Sequence, residues 1–291
     1  MKTSALSKHL SKQFGPASFY AQALKIAIPV MAQMLIQNLV SLIDNFMVAG
    51  LGDVKMSGVN ICGQILFVFM VLMNTFSMAG GIFLTQFFGA ADKNGMRQSF
   101  CFKLWTGLLV VAIFSIACFV LPRQILGLMV RGNLQAEIIL DQGERYMRII
   151  GFMGIPWMIS AMISSSLREI GQVKVPLVIS IIATFVNTFF NWVFIYGNLG
   201  APRLEVRGAA IATVIARSVE AIIFIIWMMK NKPAFIIKLF DLFKINFKLF
   251  GDILKKAWMI MLSEMVWVIA ETITTALYNG RGGADVVSGM S

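Results

Sequence analysis

Five stretches of this chain, residues 26–43, 56–91, 104–122, 149–167 and 175–202, contain no Asp, Glu, Lys or Arg, and two more, 208–229 and 257–280, contain only two such residues each. A helix crosses the hydrocarbon layer with about 20 mostly apolar residues. Inside lipid the backbone must also satisfy its own hydrogen bonds, which a helix does. The pattern therefore predicts an all-α polytopic membrane protein with seven spans. The run 56–91 is too short for two spans and a turn, so it counts once, and Gly80-Gly81 within it predicts a bend. Composition agrees, with 58% hydrophobic and 13% charged residues, against about 25% charged in soluble domains.

The same composition excludes several chemistries. The single histidine, His9, lies in the polar N-terminal stretch, so no zinc helix or Ser/His dyad can be assembled within the bilayer, and the chain is read as a non-enzyme. Cys62, Cys101 and Cys118 lie in or beside apolar runs and are read as small buried hydrophobes. No nucleic acid is implied by the net charge of +11, because its lysines and arginines lie between the apolar runs. Sixteen of them fall in the N-terminal stretch and the second, fourth and sixth loops, and seven in the alternate loops. The side richer in Lys and Arg is the cytoplasmic one. A cytoplasmic N-terminus in the cell membrane follows as the expectation, with lipids as partners of some of these lysines.

Shifting the chain by 231 residues lays Lys25 on Lys256, Gly52 on Gly283, and Ser57-Gly58 on Ser288-Gly289. The seventh span then reads as a second copy of the first. Duplicated bundles are the usual build of secondary transporters. The expected organisation is a cytoplasmic segment 1–22, a six-helix lobe 23–229, a linker 230–256, and the first helix of a second lobe, 257–291. The chain would then be a fragment of a parent with about 12 helices. In the linker, Phe235, Phe240, Phe243, Phe247 and Phe250 alternate with lysines, which predicts a helix lying in the cytoplasmic interface.

Polar groups at membrane depth need partners or a water-filled cavity. On a helix, Gln33, Gln37, Ser41 and Asp44 fall on one stripe, which is expected to line a substrate cavity. The competing account lets Asp44 reach water at the outer end of its helix. Asn187 and Asn191 stand one turn apart in the fifth span, and Thr213, Arg217 and Glu220 form a stripe in the sixth. Arg217 and Glu220 are expected to pair. The asparagines and Thr213 serve equally as interhelical hydrogen bonds or as oxygen ligands of a hard cation. Glu264 and Glu271 share one face of the seventh helix.

LKIAIPVMAQMLIQNLVSLIDNFMVAGLG, GGIFLTQFFGAADKNGMRQSF, SSSLREIGQVKVPLVIS, NTFFNWVFIYGNLGAP and VRGAAIATVIAR occur here in that order. Together they resemble the MATE multidrug and toxic compound extrusion transporters, over residues 23–291. The resemblance implies two six-helix lobes and export of amphiphilic, often cationic, small organic compounds in exchange for Na⁺ or H⁺, by a monomer without a cofactor. It implies that Asp44 couples the ion, with Asn187, Asn191 and Thr213 as the polar cluster beside it, and that Glu264 is the helix-seven glutamate. Asn191 stands where many relatives have aspartate, which leaves both ions open. Glu205 stands where glycine is common, and the seventh helix lacks its usual proline. The rival expectation is a lipid-linked oligosaccharide flippase, which would need a basic cavity; Arg217 is the one intramembrane cation read before the seventh helix, and Glu220 neutralises it. A retinal photosensor would need a lysine in that helix, and residues 257–280 contain none.

Overall fold

The computed structural model describes residues 17–50, 53–129, 136–237 and 239–281. Residues 1–16, and Gly52, Gly283, Ser288 and Gly289 of the repeat comparison, lie outside them. Among the described residues the regular structure is helical: α1 (Ala17–Ala49), α2 (Asp53–Gly89), α3 (Lys93–Phe119), α4 (Pro122–Met129), α5 (Ala136–Ile150), α6 (Gly154–Glu169), α7 (Lys174–Tyr196), α8 (Val206–Asn231) and α9 (Phe247–Arg281). Among the described residues six stretches are long and apolar enough to cross a membrane: Ser18–Val48, Gly58–Gly89, Lys93–Phe119, Glu137–Glu169, Lys174–Tyr196 and Val206–Asn231. The fold is thus an all-α polytopic membrane bundle, as its apolar runs require.

Three sequence expectations change. The fourth span begins twelve residues earlier than its uncharged run, at Glu137 rather than 149. Its first half, α5, holds its charges as ion pairs of helical spacing, Arg145 with Asp141 and Arg148 with Glu144, so a charge-dense segment is helix rather than loop. The helix α2 runs without interruption through Gly80-Gly81. A Cβ on Gly80 would lie 2.6 Å from the Lys103 Cγ, so that glycine makes room for a neighbouring side chain. Finally, the linker is not one interfacial helix. Leu239–Phe243 forms a short 3-10 turn, and α9 starts at Phe247 and continues through the seventh expected span, 257–280.

The chain divides into two compact units, Met1–Cys62 with Ser115–Asn231, and Gly63–Phe114 with Lys232–Ser291. In the second unit, Asp92 caps α3 by accepting hydrogen bonds from the backbone N–H groups of Asn94 (2.9 Å) and Gly95 (3.0 Å). Here α3 also holds the linker. Gln98 donates to the Lys244 carbonyl (2.7 Å) and accepts from the Asn246 N–H (3.1 Å), while the Trp105 indole donates to the Leu242 carbonyl (3.0 Å). Phe235 is buried against Phe100, and Phe250 packs on Phe102. The expected row of membrane-facing phenylalanines therefore splits, because two of them pack inward while Phe243 and Phe247 stay exposed. The side chain of Phe240 lies outside the described residues.

In the first unit, α7 packs on both α1 and α8, and α8 also takes α5 and α6. Gly197, in the left-handed conformation at φ +78, ends α7. The chain then turns back so tightly that a Cβ on Gly208 would stand 2.5 Å from the Phe194 carbonyl oxygen. This close approach of α8 to α7 places Thr213 beside Asn187. The apolar side chains of α1 outside its packing face, among them Met31, Leu35, Leu39 and Phe46, are exposed, as suits a helix solvated by lipid.

Candidate functional site

The face of α1 that packs on α7 carries Gln33 and Asp44, three helical turns apart. At the Asp44 end, α7 presents Asn187 and Asn191, both buried, from successive turns. Asn191 donates from Nδ2 to the Asp44 Oδ1 at 2.6 Å. The Asn187 amide has two settings, and the hydrogen-bond partners decide between them. With its NH₂ toward the carboxylate, it donates to the Asp44 Oδ1 (2.8 Å) and Oδ2 (3.2 Å), which suits an ionised Asp44. With its oxygen there, it accepts from Asn191 Nδ2 at 3.2 Å and is placed for the O–H of a protonated Asp44. The other end of the amide faces the Thr213 hydroxyl on α8 at 3.5 Å, which donates to the Ala209 carbonyl (3.0 Å).

The cluster joins α1, α7 and α8 through one carboxylate, two amides and one hydroxyl. Asp44, itself half-buried, has side-chain partners in this cluster as well as an open side. Asn191 Oδ1 is buried and has no hydrogen-bond partner among the described residues. A buried carbonyl oxygen without a donor is costly, by ~1–3 kcal/mol. Beside an acidic group it is also a ready ligand for a small hard cation. Among the described residues no group of His, Cys, Asp and Glu is arranged to hold a metal ion, so a cation here would rely on the amides and the hydroxyl as well as Asp44.

The expected stripe on α1 divides. Gln33 is buried, whereas Gln37 and Ser41 lie on an exposed flank, where the Ser41 hydroxyl donates to the Gln37 carbonyl (3.2 Å). Gln33 donates from Nε2 to the Ser180 hydroxyl (2.9 Å) and accepts from Arg168 Nη1 (3.2 Å), and Arg168 donates also to the Ser164 hydroxyl (3.0 Å). Sequence reasoning missed Arg168, Ser164 and Ser180. Arg168, one of the sixteen Lys and Arg counted in the loops, sits in the last turn of α6 and turns back along it to Ser164. Its spacing from Ser164 was the available signal. Lys103, also assigned to a loop, is fully buried within α3. Arg217 is therefore not the one cation within the helices before α9, although it pairs with Glu220 as expected, at 2.8 Å. Glu264 is half-buried on α9, and the Glu271 side chain lies outside the described residues.

Comparison with known proteins places these observations in a family. Residues 29–193 match the MatE family model. A probable multidrug resistance protein NorM of Thermotoga maritima is 26% identical over 225 residues, covering 76% of this chain and 47% of that protein. The multidrug resistance protein NorM of Vibrio cholerae is 23% identical over 220 residues, again covering 76% of this chain and 47% of the relative. The chain thus spans about half the length of the curated relatives it matches. Its fold superposes on the crystal structure of MATE in the straight conformation with a TM-score of 0.80 at 21% identity, covering 92% of this chain and 58% of that one.

Proposed function

Because this chain belongs to the MatE family, we propose that it supplies the ion-binding lobe of a multidrug efflux antiporter in the cell membrane, exchanging Na⁺ or H⁺ for small amphiphilic or cationic organic compounds. The observation that carries the reading is Asp44, held inside a membrane-spanning helix by Asn191 at 2.6 Å, with Asn187 and Thr213 beside it.

The ion acts on the joint between α1 and α7. An ionised Asp44 draws the amide hydrogens of both asparagines and fastens the two helices. A proton on Asp44 removes its charge and turns one contact round, so that the carboxyl donates to Asn187. A sodium ion is held instead by the carboxylate, the unpartnered Asn191 oxygen and the Thr213 hydroxyl, and draws the amide oxygens rather than their hydrogens inward. Either loading changes how α1 lies on α7, and alternating access uses such a change to favour one opening over the other. Glu264 on α9 belongs to the same exchange, with a smaller part, since Glu271 shares its helical face. The N-terminus is cytoplasmic in this reading, the functional unit is a monomer, and lobes 23–229 and 257–291 belong to separate repeats. The relatives carry multidrug resistance names, which favours organic export over lipid-linked oligosaccharide flipping.

The test is ethidium efflux from vesicles containing the full-length gene product, driven by an imposed Na⁺ or pH gradient. Efflux should follow at least one gradient and be lost in Asp44→Asn. Wild-type vesicles that ignore both gradients would remove the antiport reading.

A further inference from the structure

Arg217 and Glu220 lie on α8 beside the Asp44 cluster, and ion loading as set out above makes no use of them. Glu220 is 4% exposed, and Arg217 donates from Nη1 to its Oε2 at 2.8 Å. The pair lies within one helix, so it fastens no helix to another. Arg217 stands one turn along α8 from Thr213, about 6 Å by helical rise, and Thr213 faces Asn187 at the edge of the Asp44 cluster. A guanidinium has five N–H donors on a long stem, of which Glu220 takes one. Arg217 is also the member of the pair whose charge acts on Asp44, as its place between Thr213 and Glu220 requires. Among the described residues, the other groups near the site are uncharged. The helix α7 presents amides, and α5 brings Tyr146, a phenol that is neutral at physiological pH.

We propose that Arg217 is the resident counter-charge of the Asp44 site, competing there with the coupling ion, and that Glu220 limits the competition by holding the guanidinium back. This rests on the antiport reading above and assigns the residues that set the ion affinity of its site. Burial decides where the arginine rests. Glu220 is the more deeply buried acid and Asp44 is half-buried, so Glu220 keeps the hydrogen bond and Asp44 feels the cation at longer range. The charge count decides how many ions load. With Arg217 in place, Asp44 and Glu220 together carry one net negative charge, which a single Na⁺ or H⁺ neutralises. Two carboxylates at membrane depth without the arginine would call for two cations. An arginine drawn wholly to Asp44 would keep the ion out, and no arginine at all would hold it too tightly to let it go. Exchange needs the state between these two, in which the ion binds from one side and leaves to the other. Arg217 and Glu220 are thus positioning residues for the ion, and neither is its ligand.

The experiment compares Glu220→Gln with the Arg217→Gln/Glu220→Gln double variant in vesicles containing the full-length gene product. Ethidium efflux, normalised to protein in the membrane, is followed as the driving Na⁺ concentration or pH is varied. Glu220→Gln keeps a carbonyl to accept from Arg217 but loses the charge that holds it, so the cation weighs fully on Asp44. The Na⁺ or H⁺ concentration for half-maximal rate should rise about tenfold. The double variant replaces the pair by two amides and removes the competitor, so the same concentration should fall about threefold. The ethidium concentration for half-maximal rate should stay at the wild-type value in both, because neither residue meets the substrate in this reading. Opposite shifts are the signature, since an ion pair that serves the fold alone changes protein level and leaves the ion dependence where it was. Either variant decides by its own shift if the other fails to reach the membrane. Unshifted ion dependence, shifts of one sign in both variants, or a shift in ethidium dependence alone overturns the proposal and leaves antiport standing. A wild-type protein without gradient-driven efflux overturns both.

Discussion

Asp44 and Asn191, 147 residues apart in the chain, share a 2.6 Å hydrogen bond between α1 and α7, and Gln33 meets Ser180 at the same separation. Equal offsets three turns apart mean that α1 and α7 run parallel and in register along this interface. Such a register comes from residue types placed at matching heights on two helices, each polar group finding its counterpart in an otherwise apolar contact. It also makes the two ends of α1 separable by mutation.

Asp44→Asn keeps an oxygen to accept from Asn191, so the α1–α7 contact should survive with membrane expression near that of wild type. Asp44→Ala removes the acceptor and leaves two buried amides without it, at a cost of ~1–3 kcal/mol for each unsatisfied group. Expression and thermal unfolding of the purified proteins should therefore rank wild type and Asp44→Asn together, with Asp44→Ala below. Equal stability of the two variants would mean that the hydrogen bonds to Asp44 contribute nothing to the fold.

Glu205 adopts φ +53, a left-handed conformation that an L side chain enters at a cost of ~1–2 kcal/mol. Its half-buried carboxylate lies 3.7 Å from the exposed Arg203, a long contact that contributes little. Glu205→Gly should therefore stabilise the protein by about 1 kcal/mol, less the entropy glycine adds to the unfolded chain. The check is the unfolding midpoint in detergent, and a lower midpoint would show that the Glu205 contacts outweigh its backbone strain.

Gly208→Ala makes the opposite forecast. Its Cβ would meet the Phe194 carbonyl at 2.5 Å, and backbone cannot swing aside as a long side chain does. Overpacking of this kind costs ~1–3 kcal/mol, and it would also push α8, with Thr213, away from α7. Gly63→Ala, where nothing lies within 4 Å, is the control and should be neutral or slightly stabilising. Fluorescence-detected size exclusion after a heat step compares the two; equal survival would contradict the close packing of α8 on Phe194.

The spans were legible because lipid accepts so few charges that their absence over about 20 residues admits few other readings. The Asp44 cluster was legible for the same reason, since a carboxylate, two amides and a hydroxyl stand out in apolar helices. What the sequence concealed was direction. Arg168 and Lys103 count as loop charges by position, yet one turns back along its helix to Gln33 and the other is wholly buried. Gln37 and Ser41 match the spacing of Gln33 and Asp44, but a stripe of that width exceeds the line of contact with α7, so its middle stays exposed. Charge pairs hid the start of the fourth span, because a run of Glu, Asp and Arg reads as loop until its i, i+4 spacing is noticed.

Orientation supplies the last prediction. The basic bias includes residues such as Arg168 and Lys103 that lie within the candidate spans, as do Arg145 and Arg148 of the other tally, but counting only the Lys and Arg outside the six spans still leaves nine on the N-terminal side of the tally against four on the other. The expected cytoplasmic N-terminus puts the α7–α8 turn outside and the linker before α9 inside. Both carry well-exposed side chains for labelling: Arg203 is 60% and Lys244 76% exposed. In a cysteine-free background, Arg203→Cys should react with a membrane-impermeant maleimide added to intact cells, and Lys244→Cys only after the cells are broken. The three native cysteines are buried, so their replacement by alanine or serine is a precondition to be checked by expression. Labelling of Lys244→Cys in intact cells, with Arg203→Cys protected, would invert the protein in the membrane and place Asp44 in the cytoplasmic half, where an ion arriving from outside would have to cross the bundle to reach it.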